Sequence, residues 1–136
     1  MVTKNIKTVQ EFLKEAGTYY LATVDNDQPR VRPFGTATLF EDKIYVLTAK
    51  AKDVSKQLDN NAKFEISTMD NTGRWIRISG KLVADNRVEV HKALLEDYPN
   101  LRAMYTEGDA NTNALYMDID SATIYSFTDA PQNLND

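Results

Sequence analysis

Apolar residues first recur at helical spacing. Val9, Phe12, Leu13 and Ala16 stand at i, i+3, i+4 and i+7, Gly17 follows, and Thr8-Val-Gln-Glu11 has the spacing of a capping box, so a short amphipathic helix with a glycine stop is expected. From Thr18 the period changes to that of a strand. TYYLATV is rich in β-branched and aromatic residues and runs into the turn formers Asp25-Asn-Asp27. A second strand is read over Arg30 to Phe40, interrupted by Pro33 and Gly35, which are disfavoured in a central strand and mark an edge, a bulge or a place where something approaches the backbone. Glu41-Asp42 turns into a third strand, Lys43 to Thr48. Val54 and Leu58, four apart among polar residues, predict a short helix between Ala51 and Asn61.

The fourth strand, Lys63 to Met69, is joined by the hairpin signal Asp70-Asn-Thr-Gly73 to a fifth, Arg74 to Ala84. There Ile76, Ile78, Gly80 and Leu82 alternate with Trp75, Arg77, Ser79 and Lys81. A helix opens at Asn86 and runs to about Asp97, closed by Pro99, with a further helical turn at Leu101 to Tyr105. A polar loop over 106–113 leads to a sixth strand through Leu115, Met117 and Ile119, then a seventh from Ala122 to Phe127. Short turns between consecutive strands imply antiparallel pairing, and about seven strands with few helices favour a small closed barrel over an open layered sheet. The fold class is α+β, mainly β. Residues 1–136 are expected to form a single domain, with 127–136 a flexible tail.

Composition narrows the chemistry. The 136 residues contain no Cys and a single His, His91, which excludes disulfides, thiol chemistry and multi-His metal sites. His91 lies on the flank of the Val90 and Leu94 face, where a lone helical His is more often structural than catalytic. No Walker A sequence, dinucleotide fingerprint, zinc-binding helix motif or nucleophile elbow is present. No signal peptide or run of about 18 apolar residues is found, so a cytoplasmic location is expected, without membrane or nucleic-acid partners. The formal net charge of −4 conceals a split: all 16 Lys and Arg lie at or before Arg102, and six acids follow with no base.

Cations concentrate between Arg30 and Lys56. Arg30 and Arg32 share a strand face, while Thr48, Lys50 and Lys52 fall where the third strand gives way to a helix. A strand end, a hydroxyl, two amines and a helix N-terminus form a good phosphate site, although the same charges also suit a solvated basic surface. Beside them, Arg32-Pro33-Phe34-Gly35 either closes the barrel as a bulge or lets a planar ligand lie against the strand. Trp75, on the face opposite Ile76 and Ile78, belongs to a subunit interface, to the lid of a site, or beneath a covering helix.

The segments YYLATVDNDQPRVRPFG, IYVLTAKAKDVSKQLDNNAKFEIS and GRWIRISGKLV, in this order and spacing, resemble the pyridoxamine 5'-phosphate oxidase-like family, particularly its small members grouped with nitroimidazole-resistance proteins. The likeness runs over roughly residues 8–127. It implies an antiparallel split β-barrel with short covering helices, a homodimer, and an FMN site at the subunit interface. Matched residue by residue, Arg32 and the backbone of Pro33, Phe34 and Gly35 correspond to the segment along the flavin. Thr48 and the Lys50 to Lys52 turn correspond to the segment that holds its phosphate, followed by Lys56 and Gln57 on the next helix; Trp75 and Arg77 become candidate contacts from the neighbouring subunit. The implied activity is that of an FMN-dependent oxidoreductase acting on a small molecule such as a nitroaromatic or a quinone. A flavin-binding module without turnover and a cofactor-free dimeric scaffold are the alternatives. Two departures stand out. No basic residue follows Arg102, whereas the vitamin B6 oxidases of the family grip their substrate with C-terminal Arg and His; and Asp53-Val54 stands where the family often has a paired Arg-Lys.

Overall fold

Two tight turns and one bulge set the shape of the sheet. Asn26 adopts φ 56° in the turn between β1 (Tyr19–Asp25) and β2 (Gln28–Phe34), and Glu41 and Asp42, at φ 51° and 59°, make the reversal between β3 (Thr38–Phe40) and β4 (Lys43–Ala49). Two consecutive left-handed residues give a turn whose twist matches that of the strands it joins. The computed structural model describes residues 3–135. After β4 come α2 (Asp53–Asn60), β5 (Lys63–Met69), β6 (Trp75–Ala84), α3 (Val88–Asp97), a 3-10 turn (Pro99–Ala103), β7 (Thr112–Tyr125) and β8 (Gln132–Asn133); α1 (Thr3–Ala16) precedes them all.

The strands form one antiparallel sheet in the order β2-β1-β5-β6-β7-β4-β3, with β8 added beside β7. Its two edges, β2 and β3, are consecutive in the chain and only Gly35, Thr36 and Ala37 separate them. The sheet therefore curls until its edges are neighbours, but no ladder of hydrogen bonds joins them. This is the antiparallel split barrel that the resemblance implies, and it corrects only the closed barrel expected from strand count: Pro33, with no N–H, lies in the edge strand β2, and the chain breaks into two strands where one was expected over Arg30 to Phe40. Side chains span the gap instead. The Tyr19 hydroxyl donates to the Thr36 carbonyl at 2.6 Å, and the Thr36 hydroxyl oxygen accepts the Leu47 amide at 3.0 Å.

Where two final strands were expected, β7 is one strand of 14 residues bent by a bulge opposite Ser79 and Gly80. A Cβ at Gly80 would lie 2.1 Å from the Asp118 carbonyl oxygen, so this position requires glycine. The expected tail is held over part of its length: Gln132 and Asn133 pair with Ile124 and Thr123, and Leu134 is 3% exposed.

Ile6, Val9, Phe12 and Leu13 of α1 pack with Leu21, Ile44, Phe64, Ile66, Ile76 and Ile78 from the inner sheet face to form the main core. A second cluster forms on the outer face of β4 and β7, where Val90, Leu94 and Leu95 of α3 cover Tyr45, Leu47 and Ala114. The near-continuous burial of β4 follows from this double packing. It also brings α3 and the 3-10 turn alongside the split.

Candidate functional site

The split opens onto two adjoining hollows. The first, about 530 Å³, is lined by Arg32 to Thr36 from the β2 edge, Leu47 and Thr48 from β4, Lys52 and Val54 at the start of α2, and the segment Asp97 to Leu101 with Met104 and Tyr105. Its volume lies within the usual range for a small-molecule site. The second, about 780 Å³, shares Arg32, Lys52 and Val54 with the first and continues along Arg30, Asp53, Lys56 and Gln57. One end of the combined trough is thus walled by apolar and aromatic side chains. The other carries four cations, Arg30, Arg32, Lys52 and Lys56, against two carboxylates, Asp25 and Asp53.

Arg32 stands at the junction. Its Nη1 donates to the Leu21 carbonyl at 3.2 Å and to Thr23 Oγ1 at 2.8 Å, while Nη2 donates to Gln57 Oε1 at 2.7 Å. Thr23 Oγ1 in turn donates to Gln57 Oε1 at 2.6 Å. Neutral acceptors therefore fix the fork, and its Nε–H and second Nη2 hydrogen are left to receive an anion. Burial holds the Arg32 guanidinium below its ordinary pKa, opposed in part by the charge of Asp53. The other five arginines each lie against a carboxylate: Arg30 on Asp25, Arg74 on Asp70, Arg77 on Glu65, Arg87 on Asp85 and Glu41, and Arg102 on Glu107. Among the described residues Arg32 is the arginine with no such ion pair.

The start of α2 adds donors. Ser55 and Lys56 direct their amides to the Lys52 carbonyl, but the amides of Asp53 and Val54, the first two of the helix, have no backbone acceptor. Orphan amides at a helix N-terminus favour an anion. Lys52 is the capping residue and its side chain caps nothing. Asp53, in the first turn, opposes that preference with a negative charge.

The trough brings together Arg32, Pro33, Phe34, Gly35, Thr48, Lys52, Lys56 and Gln57 of the expected residues. Lys50 belongs to the same turn but lines neither hollow; its amide donates to the Asn111 carbonyl at 2.7 Å. Trp75 and Arg77 lie elsewhere within this chain. Trp75 stacks on Tyr125 at 5.6 Å between ring centroids and leans on Phe127 at 4.9 Å, and Arg77 pairs with Glu65 at 3.0 Å. Gly35 is not forced by crowding, because a Cβ there would meet only the Gly17 carbonyl at 3.8 Å.

Sequence reasoning missed the apolar wall. Leu101, Met104 and Tyr105 stand at i, i+3 and i+4, a helical stripe that was legible as an element but not as part of a site. Tyr98 anchors this wall: its hydroxyl oxygen accepts the Ala37 amide at 3.0 Å and its ring lies under Lys14 Nζ at 4.5 Å. Asp97 accepts from the Thr38 hydroxyl at 2.8 Å and pairs with Lys14. Among the described residues there is no group of three or more side chains suited to hold a metal, and no helix is long and apolar enough to cross a membrane.

The sequence profile of the family described as pyridoxamine 5'-phosphate oxidase matches residues 6–125. A NimC/NimA family protein of known structure from Clostridium acetobutylicum is 41% identical, with 96% of this chain and 92% of that one covered and a TM-score of 0.93. A pyridoxamine 5'-phosphate oxidase-related, FMN-binding protein from Nostoc punctiforme shares the fold at 16% identity, over 95% of this chain and 84% of that one, with a TM-score of 0.67. General stress protein 26 of Bacillus anthracis does so at 19% identity, over 96% and 97%, with a TM-score of 0.68. Comparison with curated proteins finds no match.

Proposed function

The chain belongs to the pyridoxamine 5'-phosphate oxidase family, and from that premise we propose that it binds FMN in the trough at the split and works as an oxidoreductase on a small planar molecule, such as a nitroaromatic or a quinone. The observation that supports this most is the unpaired, half-buried Arg32 at the junction of an apolar hollow and a cationic one. A flavin mononucleotide is an apolar ring joined to a phosphate, and the two ends of the trough differ in the same sense. FMN supplies hydride or electron transfer when bound.

The residues of the chain bind and orient. Arg32, held in place by Gln57 and Thr23, would meet the phosphate with its two free hydrogens, together with Lys52, Lys56, Thr48 and the amides that open α2. The Pro33 to Gly35 backbone would run along the ring, with Phe34 or Gly35 offering an N–H where Pro33 cannot. Leu47, Leu101, Met104 and Tyr105 form the apolar wall that would keep water from the ring and receive the substrate. No catalytic side chain is needed, in keeping with a chain that lacks Cys and has one His.

We further assign a homodimer with the cofactor at the subunit interface, Trp75 and Arg77 reaching it from the partner. The outer face of β1, β5 and β6 and the edge strand β2 have no covering helix, and Tyr20, Val31, Met69 and Phe127 are exposed there or nearby. The protein is to be purified, its visible spectrum recorded, FMN titrated, and NADH or NADPH added without oxygen. Uptake of FMN with bleaching by a nicotinamide is expected. A protein that takes up no FMN refutes the reading, and one that binds FMN but is reduced by no nicotinamide leaves a flavin-binding module.

A further inference from the structure

His91 is buried at 1% exposure, away from the trough, yet it is tied to the turn at the trough's cationic end by two hydrogen-bonded routes. The first runs through the loop before β7. The Gly108 amide donates to His91 Nδ1 at 3.0 Å, and Gly108 holds φ +74°, a conformation that favours glycine. The loop is internally braced: the Asp109 amide donates to the Thr106 carbonyl, the Asn111 amide to Asp109 Oδ1, and the Thr112 hydroxyl to the Thr106 carbonyl. Its last residues then hold the turn, because Asn111 accepts the Lys50 amide on its carbonyl at 2.7 Å and the Ala51 amide on Oδ1 at 3.0 Å.

The second route runs through side chains. Asn86 Oδ1 accepts the Ala114 amide at 2.7 Å, which fixes the orientation of this carboxamide, and His91 Nε2 lies 2.8 Å from the same oxygen. Nε2 is therefore the donor and Nδ1 the acceptor, so the ring is the neutral Nε2–H tautomer. Asn86 Nδ2 donates onward to Asn113 Oδ1 at 3.1 Å, Asn113 Nδ2 to Ser55 Oγ at 3.0 Å, and Ser55 Oγ to the Ala49 carbonyl at 2.7 Å. Asn113 and Ser55 are 5% and 2% exposed. Every link has a defined direction, and both routes end within residues 49–52.

We propose that neutral His91 is a positioning residue for the anion-binding turn at Ala49 to Lys52, and that its protonation releases Gly108, loosens Asn111 from the turn and weakens binding of a phosphorylated ligand there. This rests on the FMN reading for the ligand and for the place of its phosphate beside that turn. A protonated imidazole has two donors and no acceptor, so the Gly108 amide loses its partner when a proton is added. The groups that act on the ring are consistent with a proton that enters only on acidification. Burial, followed by the charge of Lys50 on the turn, lowers the His91 pKa, while Glu107 and Asp109 on the loop and Asp85 ahead of α3 oppose that shift. Because the folded-state value lies below the ordinary one, the neutral arrangement is fully present above the ordinary value of about 6.5 and is lost as pH falls through the folded value.

As the only His, His91 gives an unambiguous imidazole signal in a proton NMR titration of the whole protein. In the protein without added ligand, the amides of Gly108, Lys50 and Ala51 should shift with the imidazole's own midpoint, and their protection from hydrogen exchange should fall below it. FMN titrations by flavin fluorescence at pH 7.5 and at a pH below the imidazole midpoint found by NMR form the second arm. Wild type should lose affinity at least about threefold more than His91→Gln, which cannot titrate; the variant's own loss reports the phosphate, whose second pKa is about 6. Amides that titrate with a different midpoint, or parallel FMN curves in wild type and variant, overturn the proposal while leaving the FMN reading intact. If the protein binds no FMN at any pH, the FMN reading fails, and the amide titration of the wild-type protein alone decides on His91, as it does if His91→Gln does not fold.

Discussion

Truncating Arg32 to alanine tests the proposed phosphate contact apart from the proposed ring site. The guanidinium donates to four acceptors, Leu21 O, Thr23 Oγ1, Gln57 Oε1 and, at 3.5 Å, Arg30 O, which leaves its Nε–H and second Nη2 hydrogen for a ligand. A hydrogen bond to a charged group contributes about 1.5–3 kcal/mol, so its loss should weaken FMN by roughly ten- to a hundredfold. Riboflavin has the same ring and no phosphate, and its affinity should stay within about threefold of wild type, which is under about 1 kcal/mol. Arg32→Lys keeps the charge without the planar fork and should fall between the two. The assay is flavin fluorescence quenching with FMN and riboflavin side by side at low salt, then at high salt, where screening reduces the difference. Thermal unfolding of each variant, taken alongside, shows whether the internal bonds to Leu21, Thr23 and Gln57 matter to folding. Equal loss of FMN and riboflavin in a folded Arg32→Ala protein, or no loss of either, refutes the placement of the phosphate beside Arg32.

Asp53→Asn removes the carboxylate that opposes the anion at the start of α2, and FMN should bind about fivefold tighter, the effect of about 1 kcal/mol for unit charges roughly 8 Å apart at an effective dielectric near 40; unchanged affinity would place the phosphate away from that turn. Gly80→Ala forces a Cβ against the Asp118 carbonyl, where 2.1 Å is available, and should destabilise the fold by about 3 kcal/mol, read as a lower urea midpoint or loss of soluble protein; wild-type stability would mean that the bulge shifts freely. Asp85, hydrogen-bonded by Arg87 and by the Tyr45 hydroxyl at 2.8 Å, has its carboxyl lowered to about 2, so its contribution is present above the unfolded value near 4 and is lost as pH falls toward 2. Urea unfolding between pH 5 and 2 should show a shallower pH dependence in Asp85→Asn than in wild type, and identical slopes would assign the acid sensitivity to other carboxylates.

The elements were legible in the sequence because their periods are clean. The alternation of Ile76, Ile78 and Leu82 against Trp75, Arg77 and Lys81 returns as a strand with alternating burial, and the Val9, Phe12 and Leu13 stripe returns as the buried side of α1. The cationic side of the site was legible for a related reason: Arg32, Lys52, Lys56 and Gln57 lie within one short stretch of chain that folds back on itself through β3 and β4. Closure was not legible. Whether a curled sheet completes its ladder depends on what its edges do, and here Pro33 and the three-residue link through Thr36 replace backbone bonds with the Tyr19 and Thr36 side chains. The apolar wall was hidden because its contribution to the site is tertiary. Leu101, Met104 and Tyr105 reach Arg32 and Phe34 only after α3 has packed on the outer face of β4, and nothing in their local spacing distinguishes a wall from ordinary core.

Charge counting illustrates the same distinction between sum and placement. The net charge of −4 points away from an anion ligand, yet among the described residues none of the acids after Arg102 lines either hollow. Glu107 is bound to Arg102, and Asp118 stands opposite Lys81 in the ladder between β6 and β7. Pairing also removes most arginines from consideration, since five of the six already face a carboxylate within 4 Å. The field that a ligand meets at the split is set by the cations left over: Arg32, Lys52 and Lys56, with Asp53 opposing them. Within a Debye length of about 8–10 Å that local remainder outweighs charges on the far side of the sheet. A small acidic protein can therefore present a cationic trough without a basic surface, provided that one arginine is withheld from the ion pairs that engage the rest.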